Sequence, residues 1–537
     1  MSTKTEAPKT RGTVQEMTNQ VLRDCGMTTM FGNPGSTELN FLTDFPEDFR
    51  YVLGLQEAAA IAMADGYAQA TRNAAFVNLH SAAGVGNALG NLFTAYKNHT
   101  PLVVTAGQQA RDILLYQPYL GADRATEFPR PYVKWSIEPA RPQDVPLAIA
   151  QAYEIAMQHP RGPVFVSVPS EDWAETADMP TPARTRHDTV PGPDALADMA
   201  AALKAAKNPA LVVGSGIDRD GAFDAAVDLA ERMGATVFEA PVSSRANFPE
   251  DHPRFAGFLP AMPEGLSKLL EPHDVVAVIG APVFTFHIFG RAPIFDSDTA
   301  FWQITDDPDE AAHSQVATSL LGSIGASIKA LAGLLGERKA NPATPLRAKP
   351  DKAKGRDPMG IDFAIQTIDA TRPDGALIVE EAPSHRPAIQ RDLPITQGGG
   401  FFTMASGGLG WGLPAAVGVS LANRDRRTIC IVGDGSSMYS IQAIWTAVQH
   451  DLPVTFAVLN NQGYGALRGF AALMQSRSIP GMDVPGIDYV QLAASMRCPG
   501  TRVTAHGDLA QALRDAHGAA GPQLVEIAID PATGKIY

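Results

Sequence analysis

The segment TICIVGDGSSMYSIQAIWTAVQHDLPVTFAVLNN, from Thr428 to Asn461, carries the clearest signal of the fold class of this chain. It contains two patterns of buried strands, Thr428 to Val432 and Val454 to Leu459, with a helix predicted between them from about Tyr439. Apolar strands that alternate with helices are typical of a parallel, doubly wound sheet. A glycine turn follows the first strand and an Asn-Asn pair follows the second. Both therefore lie at the carboxyl edge of the sheet, where such folds bind ligands.

The glycine turn spans Gly433 to Gly435, and 24 residues separate it from Asn460. Small glycines let backbone N–H groups approach a diphosphate. The Asp434 carboxylate, the Asn461 amide oxygen and the Gly463 carbonyl are hard oxygen ligands of the kind that Mg²⁺ prefers. A Gly-Asp-Gly turn alone is common in loops. Its spacing from the Asn pair is what favours a diphosphate and magnesium site.

The length of 537 residues predicts about three domains. Segments rich in Pro and charged residues, Met179 to Pro193 and Gly336 to Pro358, indicate linkers. We expect a disordered tail at 1–11, domains at 12–180, 194–336 and 359–537, and a linker at 337–358. The predicted fold class is α/β, with three doubly wound domains and mainly parallel sheets. Its predicted elements include a helix capped by Thr13 and Glu16, helices Ala58–Ala70 and Asn87–Tyr96, and strands Thr28–Phe31, Ala75–Leu79, Leu102–Thr105, Ala210–Val213, Val275–Ile279 and Ala376–Val379.

Charge and cysteine content exclude several classes of protein. Lys and Arg number 43 against 57 Asp and Glu, a net charge of −14, so nucleic acid and anionic membranes are disfavoured partners. Cys25, Cys430 and Cys498 give neither a disulfide framework nor metal-ligand spacing. The N-terminus, MSTKTEAPKTRG, has no apolar stretch of the kind that a secretory signal needs, and no later run reaches the roughly 20 apolar residues of a membrane span. The cytoplasm is therefore the expected location.

The spacing of the glycine turn and the Asn pair resembles that of the thiamine diphosphate-dependent enzymes. The resemblance implies a pyrimidine-binding first domain, a central domain and a diphosphate-binding third domain. It also implies that Glu57 shares a proton with the aminopyrimidine ring; taken alone, Glu57 is a first-turn charge that the helix dipole favours. In Ser406-Gly407-Gly408-Leu409-Gly410, it implies that Leu409 bends the cofactor and that the Gly407 carbonyl accepts from the ring. The alternative is a glycine-rich turn with one core Leu. The cofactor-binding residues implied in the third block are Gly433, Asp434, Gly435, Ser436, Tyr439, Asn461 and Tyr464.

Nearly the whole chain resembles the benzoylformate decarboxylase family, through Phe31 to Ser36, Asn78 to Gly84, Ala281 to Phe284 with His287, and Tyr464 to Arg468. The resemblance implies that Ser36 binds a substrate carboxylate and that His80 and His287 relay protons, as imidazoles can near neutral pH. His80 opens a glycine-rich loop after a strand, where a core role is hard to argue. His287 lies among aromatic residues in the sequence, so the alternative to a catalytic role is a histidine buried in the core.

The predicted substrate pocket departs from the family in part. Tyr119 stands beside Leu120 where the family has leucine, Thr403 replaces an aromatic residue, and Pro383 replaces a hydroxyl residue. The full predicted pocket consists of Tyr119, Leu120, Pro383, Thr403, Met404, Ala466, Leu467 and Phe470. The implied activity is decarboxylation of an aromatic 2-oxo acid to the aldehyde and CO₂, with thiamine diphosphate and Mg²⁺. The implied assembly is a homodimer of active sites within a homotetramer.

Other activities remain open. A carboligase would use the same centre to join two carbonyl compounds. A flavin-dependent relative such as acetolactate synthase would need a nucleotide loop in the middle block, but at Gly214-Ser215-Gly216 the third glycine of the motif falls on Arg219, which favours a strand-to-helix turn. A serine hydrolase lacks its G-x-S-x-G elbow. A non-catalytic relative should have lost Glu57 or the metal ligands.

Overall fold

The computed structural model describes residues 10–181, 185–288, 290, 298–476 and 478–531. They form two compact units. One unit contains the chain up to Arg186 together with Ser406–Asn423 and Ser440–His450, and the other contains the remainder. Most of the tail expected at 1–11 lies outside the described residues, but Arg11 belongs to a strand, which corrects that limit.

The N-terminal block contains a six-stranded sheet in which all paired strands are parallel, in the order β3-β2-β4-β5-β7-β6. Strands β1 and β8 form a separate antiparallel pair, and this pairing orders Arg11. The strands are β1 (Arg11–Thr13), β2 (Thr29–Gly32), β3 (Arg50–Leu53), β4 (Ala75–Leu79), β5 (Leu102–Gln108), β6 (Ser136–Ile137), β7 (Val164–Pro169) and β8 (Thr176–Asp178). The helices are α1 (Val14–Asp24), α2 (Leu39–Leu42), α3 (Glu57–Thr71), α4 (Ser81–Lys97) and α5 (Val145–Met157).

The middle block contains a second parallel sheet, in the order β11-β10-β9-β12-β13-β14. Alternate residues of β9 enter different apolar clusters, Leu211 and Val213 on one face and Ala210 and Val212 on the other, as in a doubly wound fold. The strands are β9 (Pro209–Val213), β10 (Thr236–Glu239), β11 (Phe255–Phe258), β12 (Val275–Ile279), β13 (Ala300–Thr305) and β14 (Ala317–Leu321). The helices are α6 (Pro193–Ala205), α7 (Gly216–Arg219), α8 (Phe223–Met233), α9 (Pro263–Leu270), α10 (Pro308–His313) and α11 (Ile324–Leu334).

The C-terminal block contains the third parallel sheet, in the order β16-β15-β17-β18-β20-β19. Its strands are β15 (Leu377–Glu381), β16 (Phe401–Thr403), β17 (Thr428–Gly433), β18 (Val454–Asn460), β19 (Gly500–Val503) and β20 (Gln523–Ala528). The helices are α12 (Ile361–Thr371), α13 (Arg386–Asp392), α14 (Gly412–Ala422), α15 (Asp434–Ser437), α16 (Ala443–Gln449), α17 (Gly465–Leu473), α18 (Tyr489–Ser495) and α19 (His506–Gly518). The predicted α/β class with three parallel sheets is therefore confirmed.

Two predicted helix starts were wrong. Helix α4 begins at Ser81, directly after His80, and not at Asn87 after a glycine-rich loop. Its glycines are tolerated in the helix because tertiary packing outweighs their low helix propensity. A helix was also expected near Tyr439, but α15 begins at Asp434 and Tyr439 lies in the turn before α16. The capping box of Thr13 and Glu16 is present as predicted.

The segment 337–358 contains neither helix nor strand and is anchored by charged side chains. Arg338 pairs with Asp228 at 2.8 Å, and Arg347 pairs with Glu250 at 3.0 Å. The predicted turn at Gly214 leads from β9 into α7, as expected. Among the described residues, no helix combines the length and the apolar composition that a bilayer crossing requires.

Candidate active site

Three polar groups converge where β17 and β18 end: the Asp434 carboxylate, the Asn461 amide and the Gly463 carbonyl. These strands are parallel neighbours, so Asp434 and Asn461 lie side by side at the same edge. The Asn461 side-chain amide donates to the Gly463 carbonyl oxygen at 2.7 Å and to Asp434 Oδ1 at 3.1 Å. With the amide turned to present its oxygen, the three oxygens would form a set that suits Mg²⁺.

Backbone N–H groups fix the Asp434 carboxylate. Gly435 donates to Oδ1 at 2.8 Å and Gly463 donates to Oδ2 at 2.9 Å. Burial raises the pKa of Asp434, and these two donors oppose the shift. The Asp434 carbonyl accepts from the hydroxyls of Ser437 and Tyr489, which fixes the backbone of the turn. The carboxylate is therefore held in place before any ligand binds.

The loop after β18 is held by a buried carboxylate that the sequence did not single out. Glu526 is 2% exposed and accepts from the Asn460 amide at 2.8 Å and from Arg502 at 2.9 Å. The Asn460 Oδ1 atom accepts in turn from the backbone N–H of Gln462 at 3.1 Å. The first Asn of the pair thus supports the loop, and the second belongs to the cluster of polar groups.

The Tyr464 ring packs on Gly435, where a Cβ atom would lie 2.6 Å from Cε1 of the ring. Ser436 is buried, whereas Tyr439 is 57% exposed. Because the Ser384 hydroxyl accepts from the Ala466 N–H at 2.8 Å, the start of α17 is tied to the segment that follows β15. The cofactor-binding residues predicted in this block therefore lie in and around one loop cluster, with Tyr439 at its exposed side.

In the other unit, Glu57 is the first residue of α3 and is 8% exposed. Its Oε2 atom accepts from the Asn87 amide at 3.0 Å. A Cβ atom added at Gly84 would lie 3.3 Å from Glu57 Oε1 and 3.5 Å from the Cβ of His80. Gly84, in the first turn of α4, therefore lies between the Glu57 carboxylate and His80.

The glycine-rich segment that contains Leu409 belongs to the same unit. The Thr94 and Ser406 hydroxyls lie 2.8 Å apart, and the Asn91 amide donates to the Gly410 carbonyl at 3.3 Å. Both hydrogen bonds connect this segment to helix α4. Gly407 has a φ of +73°, a conformation that glycine adopts without strain. Leu409 is half-buried, and its contact with a cofactor stays a prediction.

His80 is held by a carboxylate that the sequence analysis missed. Its Nδ1 atom lies 2.9 Å from Glu38 Oε2 and 3.1 Å from Thr37 Oγ1. Thr37 and Glu38 follow Ser36 on one 3₁₀ turn, Ser36–Glu38, on which Ser36 is exposed. The turn therefore brings the predicted carboxylate-binding serine and the partners of His80 together. The sequence shows only an acidic residue two positions after Ser36, which by itself does not indicate this contact.

His287 is exposed, so the alternative of a histidine buried among aromatic side chains is wrong. Its ring meets the edge of the Phe470 ring, with centroids 5.0 Å apart at an angle of 74°. Helix α17 also carries Ala466 and Leu467, and Leu467 is 48% exposed. His287 therefore lies beside a predicted aromatic wall of the substrate pocket.

Thr403 is fully buried within an ion pair. Its hydroxyl donates to Glu380 Oε2 at 2.9 Å and accepts from Arg386 at 3.0 Å. Glu380 and Arg386 themselves pair at 2.7 Å. Met404 is 8% exposed and Pro383 is half-buried. The Thr403 hydroxyl thus bridges this pair, and its contribution to a pocket wall stays a prediction.

The loop that carries Tyr119 and Leu120 is anchored at its base. Arg111 binds both carboxylate oxygens of the buried Asp172, at 2.9 and 2.6 Å. The Gln109 amide donates to the Tyr119 carbonyl at 2.8 Å. The Tyr119 side chain is nevertheless 88% exposed, and Leu120 is half-buried. The loop therefore presents Tyr119 on a fixed backbone.

Comparison with family models gives three matches along the chain. The N-terminal TPP binding domain of thiamine pyrophosphate enzymes matches residues 12–124, and the central domain of these enzymes matches 196–331. Their C-terminal TPP binding domain matches 384–527. Thiamine pyrophosphate is the same compound as thiamine diphosphate.

Comparison with curated proteins and solved structures gives more specific relatives. The benzoylformate decarboxylase of Pseudomonas aeruginosa is 41% identical over 523 residues, which are 96% of this chain and 98% of that protein. The crystal structure of benzoylformate decarboxylase from Polynucleobacter necessarius has a TM-score of 0.95 at 40% identity and covers 97% of this chain and 99% of its own. The thiamine diphosphate-dependent 4-hydroxybenzoylformate decarboxylase of Rhodococcus jostii RHA1 has a TM-score of 0.94 at 41% identity, over 97% of this chain and 100% of its own.

Proposed function

The chain belongs to the thiamine pyrophosphate enzyme family, among the benzoylformate decarboxylases, and from this membership we propose that it decarboxylates an aromatic 2-oxo acid. The substrate is benzoylformate or a close analogue such as its 4-hydroxy derivative. The bond between the carbonyl carbon and the carboxylate breaks, CO₂ leaves, and a proton takes its place to give the aldehyde.

One observation supports this function most strongly: the Glu57 carboxylate and His80 both lie beside Gly84. A decarboxylase of this family needs one group that exchanges a proton with the cofactor ring and another that exchanges protons with the substrate. The two side chains lie beside the first turn of α4 but have different partners, Asn87 for Glu57 and Glu38 for His80. Their positions suit two separate proton transfers.

Thiamine diphosphate, when bound, supplies the carbon nucleophile and the electron sink for this reaction. We propose that Asp434, Asn461 and Gly463 would hold a Mg²⁺ ion, since these three groups converge at the ends of β17 and β18. Glu57 would be the residue that gives a proton to, and takes one from, the pyrimidine ring.

The remaining residues act on the substrate. The Ser36 hydroxyl binds the carboxylate of the 2-oxo acid from an exposed position on its 3₁₀ turn. His80 and His287 hold and deliver the protons that the reaction needs at the carbonyl oxygen and carbon. Phe470, against which the His287 ring rests, and the small Ala466 leave room for an aryl group on α17.

We further propose that the protein assembles as a homotetramer of paired active sites. Three large side chains in the segment after β5 are exposed in the single chain, and we propose that a partner subunit covers them. They are Leu115, Tyr116 and Tyr119, which are 94%, 81% and 88% exposed. Apolar side chains clustered in this way are typical of protein interfaces. Light scattering coupled to gel filtration measures the assembly, and a monomer at working concentration would contradict it.

A carboligase is the second candidate, because the same centre can add its bound carbonyl carbon to an aldehyde. The choice between the two is tested with the enzyme loaded with thiamine diphosphate and Mg²⁺. Benzoylformate, 4-hydroxybenzoylformate and branched aliphatic 2-oxo acids are offered singly, and aldehyde release is coupled to an NADH-dependent reductase. We expect the aryl acids to have the highest kcat/KM. Aldehyde from none of the acids would rule out the decarboxylase.

A further inference from the structure

Glu38 is a buried carboxylate placed between two backbone donors and two side chains. It is 1% exposed. Its Oε2 atom accepts from the Gly35 N–H at 2.9 Å, and its Oε1 atom accepts from the Gly107 N–H at 3.0 Å and the Thr37 hydroxyl at 2.6 Å. The His80 Nδ1 atom completes the set at 2.9 Å from Oε2.

These contacts determine which nitrogen of His80 carries a proton. Both Glu38 carboxylate oxygens already act as acceptors, for the Gly35 and Gly107 N–H groups and the Thr37 hydroxyl. The hydrogen of the Thr37 hydroxyl points to Glu38, so its lone pairs face His80. Both atoms near Nδ1 are therefore acceptors, and Nδ1 must donate. The neutral ring is held in the Nδ1–H tautomer, which leaves Nε2 to take up and release a proton.

The space around the Glu38 carboxylate also leaves no room for a side chain at either of two neighbouring glycines. A Cβ atom added at Gly107 would overlap Glu38 Oε1 and the Thr37 side chain. A Cβ atom added at Gly35 would overlap the His80 ring. Glycine at both positions lets the backbone N–H groups reach Glu38 and lets the imidazole lie flat against the 3₁₀ turn.

We propose that Glu38 is a positioning residue that acts through His80. It fixes the tautomer and the orientation of the imidazole and stabilises the imidazolium that forms when Nε2 takes a proton. This inference rests on the proposed role of His80 in decarboxylation. Glu38 touches neither substrate nor cofactor in the proposal, so its effect must vanish when His80 is absent.

A double-mutant cycle tests this directly. Glu38→Gln, His80→Ala and the double variant are compared in the cofactor-loaded enzyme by kcat and KM, with cofactor affinity from tryptophan fluorescence and with melting temperature as structural readouts. Because the amide introduced by Glu38→Gln would offer a donor to Nδ1 and disturb the tautomer, we expect kcat to fall by about 10- to 1000-fold with a smaller change in KM. In the His80→Ala background the same change should have no further effect on kcat.

Thr37→Val provides a second cycle in case Glu38→Gln does not fold. Valine keeps the shape but removes the hydroxyl, so a smaller fall in kcat is expected, again only when His80 is present. The exposed Glu47→Gln serves as the control and should match the wild type. If the falls in kcat from Glu38→Gln and His80→Ala multiply, the inference is overturned while the proposed function stands. If His80→Ala leaves kcat unchanged, the proposed role of His80 fails, and the role of Glu38 fails with it.

Discussion

The imidazole of His80 rests directly on the backbone of Gly35, where an added Cβ atom would overlap Nδ1 and Cγ of the ring. Gly35→Ala should therefore push the ring away from Glu38. Because positioned acid-base groups contribute about 10²- to 10⁴-fold to rates, we expect kcat to fall by at least about tenfold. Gly90→Ala is the control, since nothing lies within 4 Å of its added Cβ. Equal kcat values for the two variants would contradict the placement of His80.

Glu57→Gln should abolish most of the turnover because glutamine cannot exchange the proton of the carboxylic acid. The amide keeps the size of the side chain and can still accept from Asn87. We expect kcat to fall by at least about 10²-fold, while the cofactor still binds by fluorescence titration. Glu127→Gln, at a side chain that is 65% exposed, is the matched control. Near-normal kcat in Glu57→Gln would refute the proton-exchange role.

Removal of the metal should weaken the binding of thiamine diphosphate. Chelation, or the substitution Asp434→Ala, takes away charge from the oxygen cluster at Asn461 and Gly463. We expect the affinity for thiamine diphosphate, measured by calorimetry, to fall by more than the roughly 10- to 100-fold that outer-sphere metal partners contribute. Mg²⁺ should restore binding to the chelated wild type but not to Asp434→Ala. Asp425→Ala, at an exposed turn, should bind normally. Unchanged affinity in Asp434→Ala would exclude the proposed metal site.

The stability of the protein should depend on pH because of Glu239, a buried carboxyl at the end of strand β10 in the central sheet. Burial raises the pKa of Glu239 to about 8, although the Ser243 hydroxyl and the Asn247 amide oppose the shift. A carboxyl whose pKa is higher in the folded state binds its proton more tightly there, so its contribution to stability is present at low pH and is lost as pH rises towards about 8. Glu239→Gln stays neutral throughout. Its melting temperature relative to wild type should therefore rise between about pH 5 and about pH 8, and a constant difference would contradict the buried, protonated carboxyl.

Helices α3 and α14 pack too closely for any side chain at Gly418. An added Cβ atom would overlap the Met63 carbonyl oxygen. We expect Gly418→Ala to destabilise the protein by about 1–3 kcal/mol or more, as overpacking does. Gly333→Ala, in α11 with nothing within 4 Å of the added Cβ, should be neutral or stabilise by roughly 0.5–1 kcal/mol. Melting temperatures measure both, and equal stability of the two variants would contradict the close packing.

The strands and the carboxyl-edge motifs were predictable because their signals are local. Strands β4 and β12 have the predicted limits, since unbroken apolar runs bounded by turns leave little choice. Asp434 and Asn461 were predicted from the glycine turn, its spacing from the Asn pair and the predicted strand ends, and the sheet places them side by side. A motif that directly follows a parallel strand is therefore placed at the carboxyl edge of the sheet by that strand.

Glu38 and the start of α4 were not predictable because non-local contacts determine them. Nothing near Glu38 in the sequence indicates that Gly107 would donate to it, 69 residues away. The glycines after His80 favoured a loop by propensity, but Gly84 lets Glu57 approach α4 and the segment is helical. Tertiary packing overrides propensity at such positions.

The most direct test of the proposed decarboxylation is the stoichiometry of benzoylformate turnover, followed by proton NMR with simultaneous CO₂ measurement. The enzyme loaded with thiamine diphosphate and Mg²⁺ should release one benzaldehyde and one CO₂ for each acid consumed. The aldehyde proton should come from solvent, so that the product made in D₂O carries deuterium at that carbon. Release of CO₂ with little free benzaldehyde and accumulation of a hydroxyketone would show a carboligase, and no consumption of the acid would contradict the assignment as a whole.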